Sequence, residues 1–290
     1  MKSLNEAHPA AVFVYYAVII SVLAVSMNIY YVGSALVGSL ISFLFISKRQ
    51  TIRSHLLTAL LFLVMSVINP LVSHKGSSIL LVINDSPVTL EAIIYGISAS
   101  ALAVAMLYYF RAMSAVLTGD KLMSVLSLLS PKAALIISMA IRYIPLFIKQ
   151  SAKVEESQKA LGLYKENSAI DRIRGRGRVF SVLVTWGLEN GIITADSMSA
   201  RGYGTGRRTR YRLYRIDPRD IIFLIYTAAL GALSLIGVIK MDISYYPDFI
   251  PGELSALNIL SVSAYFLLTL TPAILEIKER IKWKYLISKI

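Results

Sequence analysis

Charge-free stretches dominate the pattern of this chain. From position 7 to position 47 there is no Lys, Arg, Asp or Glu. A helix needs roughly 20 apolar residues to cross a bilayer, so this stretch is long enough for two passes. They are predicted at 10–27 and 29–47, with Asn28 and Gly33 marking the turn between them. A third apolar run, 56–72, contains Asn69-Pro70. Such a break in backbone hydrogen bonding survives in a membrane only where protein or water satisfies the freed groups. A turn-rich segment then runs from Ser73 to Pro87. Thr89 is placed to cap the next helix, and Glu91 falls in its first turn, where negative charge is favoured. That helix is predicted at 92–110, and two further runs at 221–239 and 254–275 bring the expected spans to six.

Between 111 and 219 the pattern changes. Residues 122–129 repeat apolar positions at i, i+3, i+4 and i+7, as an amphipathic helix does. Residues 133–141 are apolar but are interrupted by Arg142 and Pro145, which leaves them too short to span. Residues 149–164 mix charge with small apolar residues and carry Ala160-Leu161-Gly162 near their end. After the Arg-Gly tract at 171–178, a mostly apolar run begins near Val179 and reaches Ala200-Arg201-Gly202, with Gly204 and Gly206 beyond. Glycine past the last turn is the usual helix stop signal, so Ala200-Arg201-Gly202 is expected to end a helix. Arg201 would complement the negative end of the helix dipole there. The predicted organisation is 1–110 with four spans, a helical module at 111–219, and 220–290 with two spans and a basic tail. The fold class expected is an all-α integral membrane protein of about six transmembrane helices with a membrane-adjacent module of amphipathic helices.

Composition agrees with a membrane location. Charged residues make up 16% of the chain, against about 25% in soluble domains. The net charge of +13 is explained by topology rather than by nucleic acid. If the basic connections face the cytoplasm, 28 of the 30 Lys and Arg residues lie inside and only Lys75 and Lys240 outside. The positive-inside rule then places both termini in the cytoplasm; the expected location is a prokaryotic plasma membrane, as a multi-pass protein. The first residues do not read as a signal peptide, because the apolar region that follows is too long and lacks a cleavage site. With no cysteine there is no disulfide and no thiolate metal site.

Little catalytic chemistry is visible. His8, His55 and His74 lie far apart and on both predicted sides of the membrane, so no metal site is expected. Gly202-x-Gly204-x-Gly206 follows no strand and lacks the Lys-Ser/Thr of a phosphate loop, so the chain is not expected to bind ATP. No acidic residue falls within the apolar core of a predicted span, whereas ion-coupled carriers place ionisable groups there. The acidic residues between 111 and 219 form no recognisable motif. The Arg-Gly tract is matched by lipid phosphates as well as by RNA. The competing classes are a self-contained carrier or channel and an integral membrane enzyme; each would show activity in this chain alone.

Four motifs resemble the transmembrane T component of energy-coupling-factor transporters, a group that includes the Q-type protein of cobalt importers. Asn69-Pro-Leu-Val-Ser-His-Lys-Gly76 is similar to the family's Asn-Pro-Leu-x-x-His-x-Gly stretch, and Thr89-Leu-Glu91-Ala to its Thr-x-Glu-Ala. Arg142-Tyr-Ile-Pro145, within Ala140–Pro145, is similar to an Arg-Tyr-x-Pro turn leading into cytoplasmic helices, and Ser199-Ala-Arg-Gly-Tyr-Gly204 to the second of two Ala-Arg-Gly coupling motifs. The resemblance marks Asn69, Pro70, His74, Gly76, Thr89, Glu91, Arg142 and Pro145 as structural motif residues.

The resemblance implies a complex in which two cytoplasmic ABC-type ATPases bind and hydrolyse ATP with Mg. A separate small membrane subunit, the S component, captures a vitamin or transition-metal ion. The T component binds no cofactor itself, is not an enzyme, and joins the two. Its coupling helices would dock on the ATPases through Ala160, Leu161 and Gly162 at one end and Ala200, Arg201 and Gly202 at the other. The first motif departs from the family pattern, with Leu161 where Arg is usual. Lys159 nearby cannot reproduce a bidentate Arg contact, so unequal docking is expected.

Overall fold

The computed structural model describes residues 4, 6–46, 52–73, 75–83, 86–163, 169–206, 214–253 and 255–287. Nine helices and one hairpin are formed among them: α1 Pro9–Val25, α2 Ile29–Ile46, α3 Ile52–Val72, β1 Ile79–Ile83, β2 Ser86–Thr89, α4 Leu90–Val116, α5 Gly119–Leu129, α6 Pro131–Ala160, α7 Ala169–Ala200, α8 Pro218–Lys240 and α9 Ala256–Ile287. The chain divides into two compact units, one of residues 1–125 and 214–290, the other of 126–213, with the boundary inside α5. Arg111 lies within α4 and donates to Ser54 Oγ and Thr58 Oγ1 at 3.1 and 3.0 Å.

The six predicted spans become α1, α2, α3, α4, α8 and α9, all in the first unit. By length and composition, five described helices can cross a membrane: α3, α4, α6, α8 and α9. The helices α1 and α2 are apolar but shorter. Four local expectations are corrected. Gly33 lies inside α2, and the turn is at Ser26–Asn28, where Asn28 Oδ1 accepts from the Tyr30 N–H at 2.9 Å. The segment 73–87 is not all turn: Ile79–Ile83 pairs antiparallel with Ser86–Thr89, while the expected turn residues Asn84 and Asp85 lie outside the described residues. Arg142 and Pro145 do not end a helix, since α6 runs unbroken through both and so has the length of a span. A proline costs its helix one hydrogen bond and a clash with the carbonyl four residues back, and the remaining turns carry the helix on. The Arg-Gly tract is likewise the first third of α7, not a separate segment.

The core of the first unit is unusually rich in tyrosine. Tyr15, Tyr16, Tyr31, Tyr109 and Tyr265 are fully buried. Three of these hydroxyls bridge helices by donating to backbone carbonyls: Tyr15 to Leu268 at 2.6 Å, Tyr265 to Ile19 at 3.2 Å, and Tyr109 to Ala35 at 3.2 Å. The Tyr15 bond has a specific cause. Pro272 inside α9 has no N–H to give to the carbonyl four residues back, which is that of Leu268. Tyr15 replaces the missing donor, and Ser42 Oγ serves the adjacent Thr269 carbonyl at 3.0 Å. Small residues let the helices approach this closely. Gly38 faces Thr269, and Gly237 faces Ser261 and Tyr31, with no room for a Cβ at either.

The two ends of this unit differ. At one, three connections are tied together. Tyr245 Oη donates to the Met27 carbonyl, Ser77 N–H donates to the Pro247 carbonyl at 3.1 Å, and Ser77 Oγ bonds Asp248. Lys75 and Lys240, the two cations predicted to lie outside, belong to this end. At the other, Asp220 accepts from the His8 N–H at 3.1 Å, Arg280 donates to the Phe45 carbonyl at 2.6 Å, and Arg111 holds α3.

Candidate functional site

The motif residues of the first unit form a knot where α3 gives way to α4. Thr89 caps α4, its Oγ1 accepting from the Ala92 N–H at 3.3 Å and donating to the Lys75 carbonyl at 2.6 Å. Glu91 is buried, and its carboxylate accepts from the Ser78 N–H at 3.2 Å and from Ser77 Oγ at 3.4 Å. Gly76 has φ +133°, and a Cβ there would strike Glu91 and Thr89, so only glycine suits this position. Asn69 and Pro70 sit in the last turns of α3 against Gly96 of α4, where an added Cβ would lie 3.0 Å from the Ser66 carbonyl, the one that Pro70 leaves free. Asn69, Pro70, Gly76, Thr89 and Glu91 therefore share one architectural task. His74 lies outside the described residues.

The second unit holds the remaining predicted residues on α6 and α7, which pack antiparallel. Tyr143 Oη and Thr194 Oγ1 share a hydrogen bond at 2.7 Å, and both hydroxyls reach the Asn190 carbonyl, at 3.4 and 2.7 Å. The Phe147 ring meets Trp186 edge-on with centroids 5.3 Å apart. A Cβ on Gly187 would stand 2.7 Å from Phe147 Cζ, so the absence of a side chain at 187 sets how closely the helices meet. Nearer the end of α6, Arg178 of α7 donates to the Leu163 carbonyl at 3.1 Å. Arg142 and Pro145 lie just before Phe147, Arg142 exposed.

Both helices end in the same cap. Gly162 and Gly202 take left-handed conformations with φ +66° and +78°. At the first, Leu163 N–H donates to the Gln158 carbonyl at 3.1 Å and Gly162 N–H to the Lys159 carbonyl at 3.0 Å. At the second, Tyr203 N–H donates to Met198 at 3.0 Å and Gly202 N–H to Ser199 at 2.9 Å. This double bond pattern is the Schellman motif, and it leaves Leu161 and Arg201 at equivalent places on the two tips. Leu161 is 75% exposed, and Arg201 is exposed. Each tip glycine lies about 15 residues beyond the contact of Phe147 with Gly187, so each arm is about 22 Å long at 1.5 Å per residue. The arms point in opposite directions because the helices are antiparallel.

Sequence reasoning named both tips but missed Tyr143, Phe147, Gly187, Thr194 and Arg178, which hold the two helices to each other. Trp186-Gly187, an aromatic beside a glycine in an otherwise helix-favouring run, is the sequence mark of this contact. Among the described residues, no three His, Asp or Glu side chains converge as metal ligands would.

A sequence model of the CbiQ family, described as cobalt transport protein, matches residues 2–211. The energy-coupling factor transporter transmembrane protein EcfT of Lactobacillus helveticus is 31% identical over 105 residues, 36% of this chain and 38% of that protein. EcfT of Listeria innocua is 33% identical over 102 residues (34% and 38%), and EcfT of Streptococcus thermophilus 29% over 101 residues (34% and 38%). The chain thus aligns with under half the length of each of these curated relatives. Apolar helices of spanning length, together with transporter relatives, make it a multi-pass membrane protein. With a match over well more than half its length, the chain belongs to the CbiQ cobalt transport protein family.

Proposed function

We propose that this chain is the energy-coupling transmembrane subunit of an ATP-driven importer of the energy-coupling-factor type. Two cytoplasmic ABC-type ATPases dock on the tips of α6 and α7, bind ATP and Mg, and close. The helix pair carries that movement to a separate substrate-capture subunit in the same membrane, whose cargo is a vitamin or a transition-metal ion. The chain is not itself an enzyme, and both of its termini face the cytoplasm.

The observation that supports this reading best is the matched pair of tips. A single exposed helix end is unremarkable, since most charged ends are simply solvated. Two ends with the same cap, the same exposed position and equal arms about a shared contact are what a dimer of related ATPases requires. The partner mode is a helix laid in a groove, with the residue before the glycine fixing its register. ATPase-docking residues are accordingly Ala160, Leu161, Gly162, Ala200, Arg201 and Gly202.

The test is co-purification in detergent with its ABC ATPases, comparing the unaltered chain with Arg201→Glu. Charge reversal at an exposed cap leaves the fold intact, and it should weaken the complex by tenfold or more, roughly the cost of placing like charges together. A complex indifferent to Arg201→Glu would remove that residue as an anchor. Substrate uptake by this chain alone in liposomes would overturn the coupling role.

A further inference from the structure

The hairpin between α3 and α4 carries an apolar surface that the described residues do not cover. β2 packs against both helices, and its Val88 is buried, whereas β1 packs mainly on β2. Leu81 pairs with Val88 and Val82 with Pro87, so Leu81 and Val82 point to opposite faces of the hairpin. Both are well exposed, at 64% and 63%, as are Ile79 and Leu80. β1 is thus apolar on both faces, and among the described residues one of its edges is free. In water such a strand is a template for aggregation, which soluble proteins blunt with charged side chains. Here the whole stretch from Gly76 to Leu90 contains one charge, Asp85.

What covers β1 follows from where the hairpin sits. Its base is tied to the ends of two spanning helices, with Thr89 Oγ1 donating to the Lys75 carbonyl at 2.6 Å and Leu90 N–H to the Ser78 carbonyl at 3.0 Å. In α4 the Tyr95 ring meets those of Tyr245 and Tyr246, with centroids 5.4 and 5.7 Å away, and clustered tyrosines mark the headgroup level of a bilayer. Thr89 lies about 9 Å along the helix from Tyr95 at 1.5 Å per residue, comparable with one headgroup layer of roughly 5–8 Å. The neighbouring end of α3 is also apolar outward, with Ile68, Leu71 and Val72 each more than half exposed. A hairpin standing upright would carry β1 about 17 Å further, at 3.4 Å per residue, and strand its apolar faces in water. A hairpin sunk in hydrocarbon would leave the N–H and C=O groups of its free edge unsatisfied. We propose that the hairpin lies in the headgroup layer of the leaflet at this end, with lipid against both faces of β1, and holds the ends of α3 and α4 at a fixed depth. This needs only the membrane location of the chain, so its failure would leave the coupling role standing.

The chain has no cysteine, so Leu81→Cys and Val82→Cys each create one labelling site, one per face. The full chain, labelled with a polarity-sensitive fluorophore, is placed in nanodiscs of lipids brominated at different depths, both alone and within its assembled transporter complex. Two further variants calibrate the scale. Leu63→Cys, exposed midway along α3, reports the hydrocarbon, and Asp242→Cys, exposed at the same end of the unit as the hairpin, reports water. The expected result is emission blue-shifted from that of position 242 at both 81 and 82. Both should be quenched most by bromines near the headgroups, whereas position 63 is quenched most by deep ones. Emission and quenching at 81 and 82 matching those at 242 would overturn the inference. Quenching at only one of the two would do the same, by showing protein over the other face. Quenching that disappears in the assembled complex would assign β1 to a partner's strand instead of to lipid.

Discussion

Replacing Tyr15 by Phe should cost stability through one hydrogen bond, and Pro272 should decide how much. The Tyr15 ring is fully buried between Tyr16 and Phe223, with centroids 5.2 and 5.4 Å away, so phenylalanine fills the same space. What is lost is the 2.6 Å bond to the Leu268 carbonyl. That carbonyl has no helical donor, because position 272 is proline. An unsatisfied buried carbonyl costs about 1–3 kcal/mol, and side-chain bonds measured within membranes average about 0.6 kcal/mol with a maximum near 1.7. A loss of about 1–1.5 kcal/mol is therefore expected for Tyr15→Phe. In a Pro272→Ala background the backbone N–H at 272 returns to Leu268, and the same change should cost less than about 0.5 kcal/mol. The coupling between the two sites, near 1 kcal/mol, is read from a double-mutant cycle by reversible unfolding in mixed micelles. Equal costs of Tyr15→Phe in both backgrounds would show that Tyr15 stabilises by something other than serving the carbonyl freed by Pro272.

Two further changes probe the site and its frame. Gly187→Leu places a side chain where Cβ alone would stand 2.7 Å from Phe147. Forcing α6 and α7 apart should cost about 1–3 kcal/mol and lower transport without weakening ATPase co-purification proportionately. Adding Phe147→Ala should restore part of both, and failure of that rescue in unfolding and uptake assays would remove Phe147–Gly187 as the governing contact. Thr89→Val removes both the α4 cap and the bond to Lys75 and should destabilise the first unit by about 1–2 kcal/mol. Thr89→Ser should keep most of that stability, and equal melting temperatures for the two variants would contradict the assigned role.

Much of the frame was legible because a bilayer imposes a simple code. Long uncharged runs gave four helices of spanning length, and Thr89 and Glu91 announced the start of α4. Gly202 marked its tip because a left-handed cap favours a residue without Cβ, whereas the tip at Gly162 was marked by the family resemblance. The failures also have physical causes. Ile79–Ile83 is apolar at every position, so it lacks the alternation that identifies a strand, and its short length between polar clusters read as turn. Pro145 read as a stop because a proline's local cost is visible in sequence. The antiparallel partner that helps hold α6 in place is not, since Tyr143 and Thr194 are some 50 residues apart. The same holds for Phe147 and Gly187: a glycine in a helix marks a close approach but does not say what approaches. Nor does sequence reveal that Lys159 pairs with Glu155 one turn back.

The equal arms of α6 and α7 have a mechanical consequence. If the pair turns as a stiff beam about the contact of Phe147 with Gly187, a sideways displacement of one tip is matched by an equal and opposite displacement of the other. With arms of about 22 Å, a tip movement of about 5 Å corresponds to a rotation of roughly 13°. Forces applied equally to the two ends in opposite senses add as torque and cancel as net push. An equal and opposite sideways push at the two tips would then turn the pair without translating it.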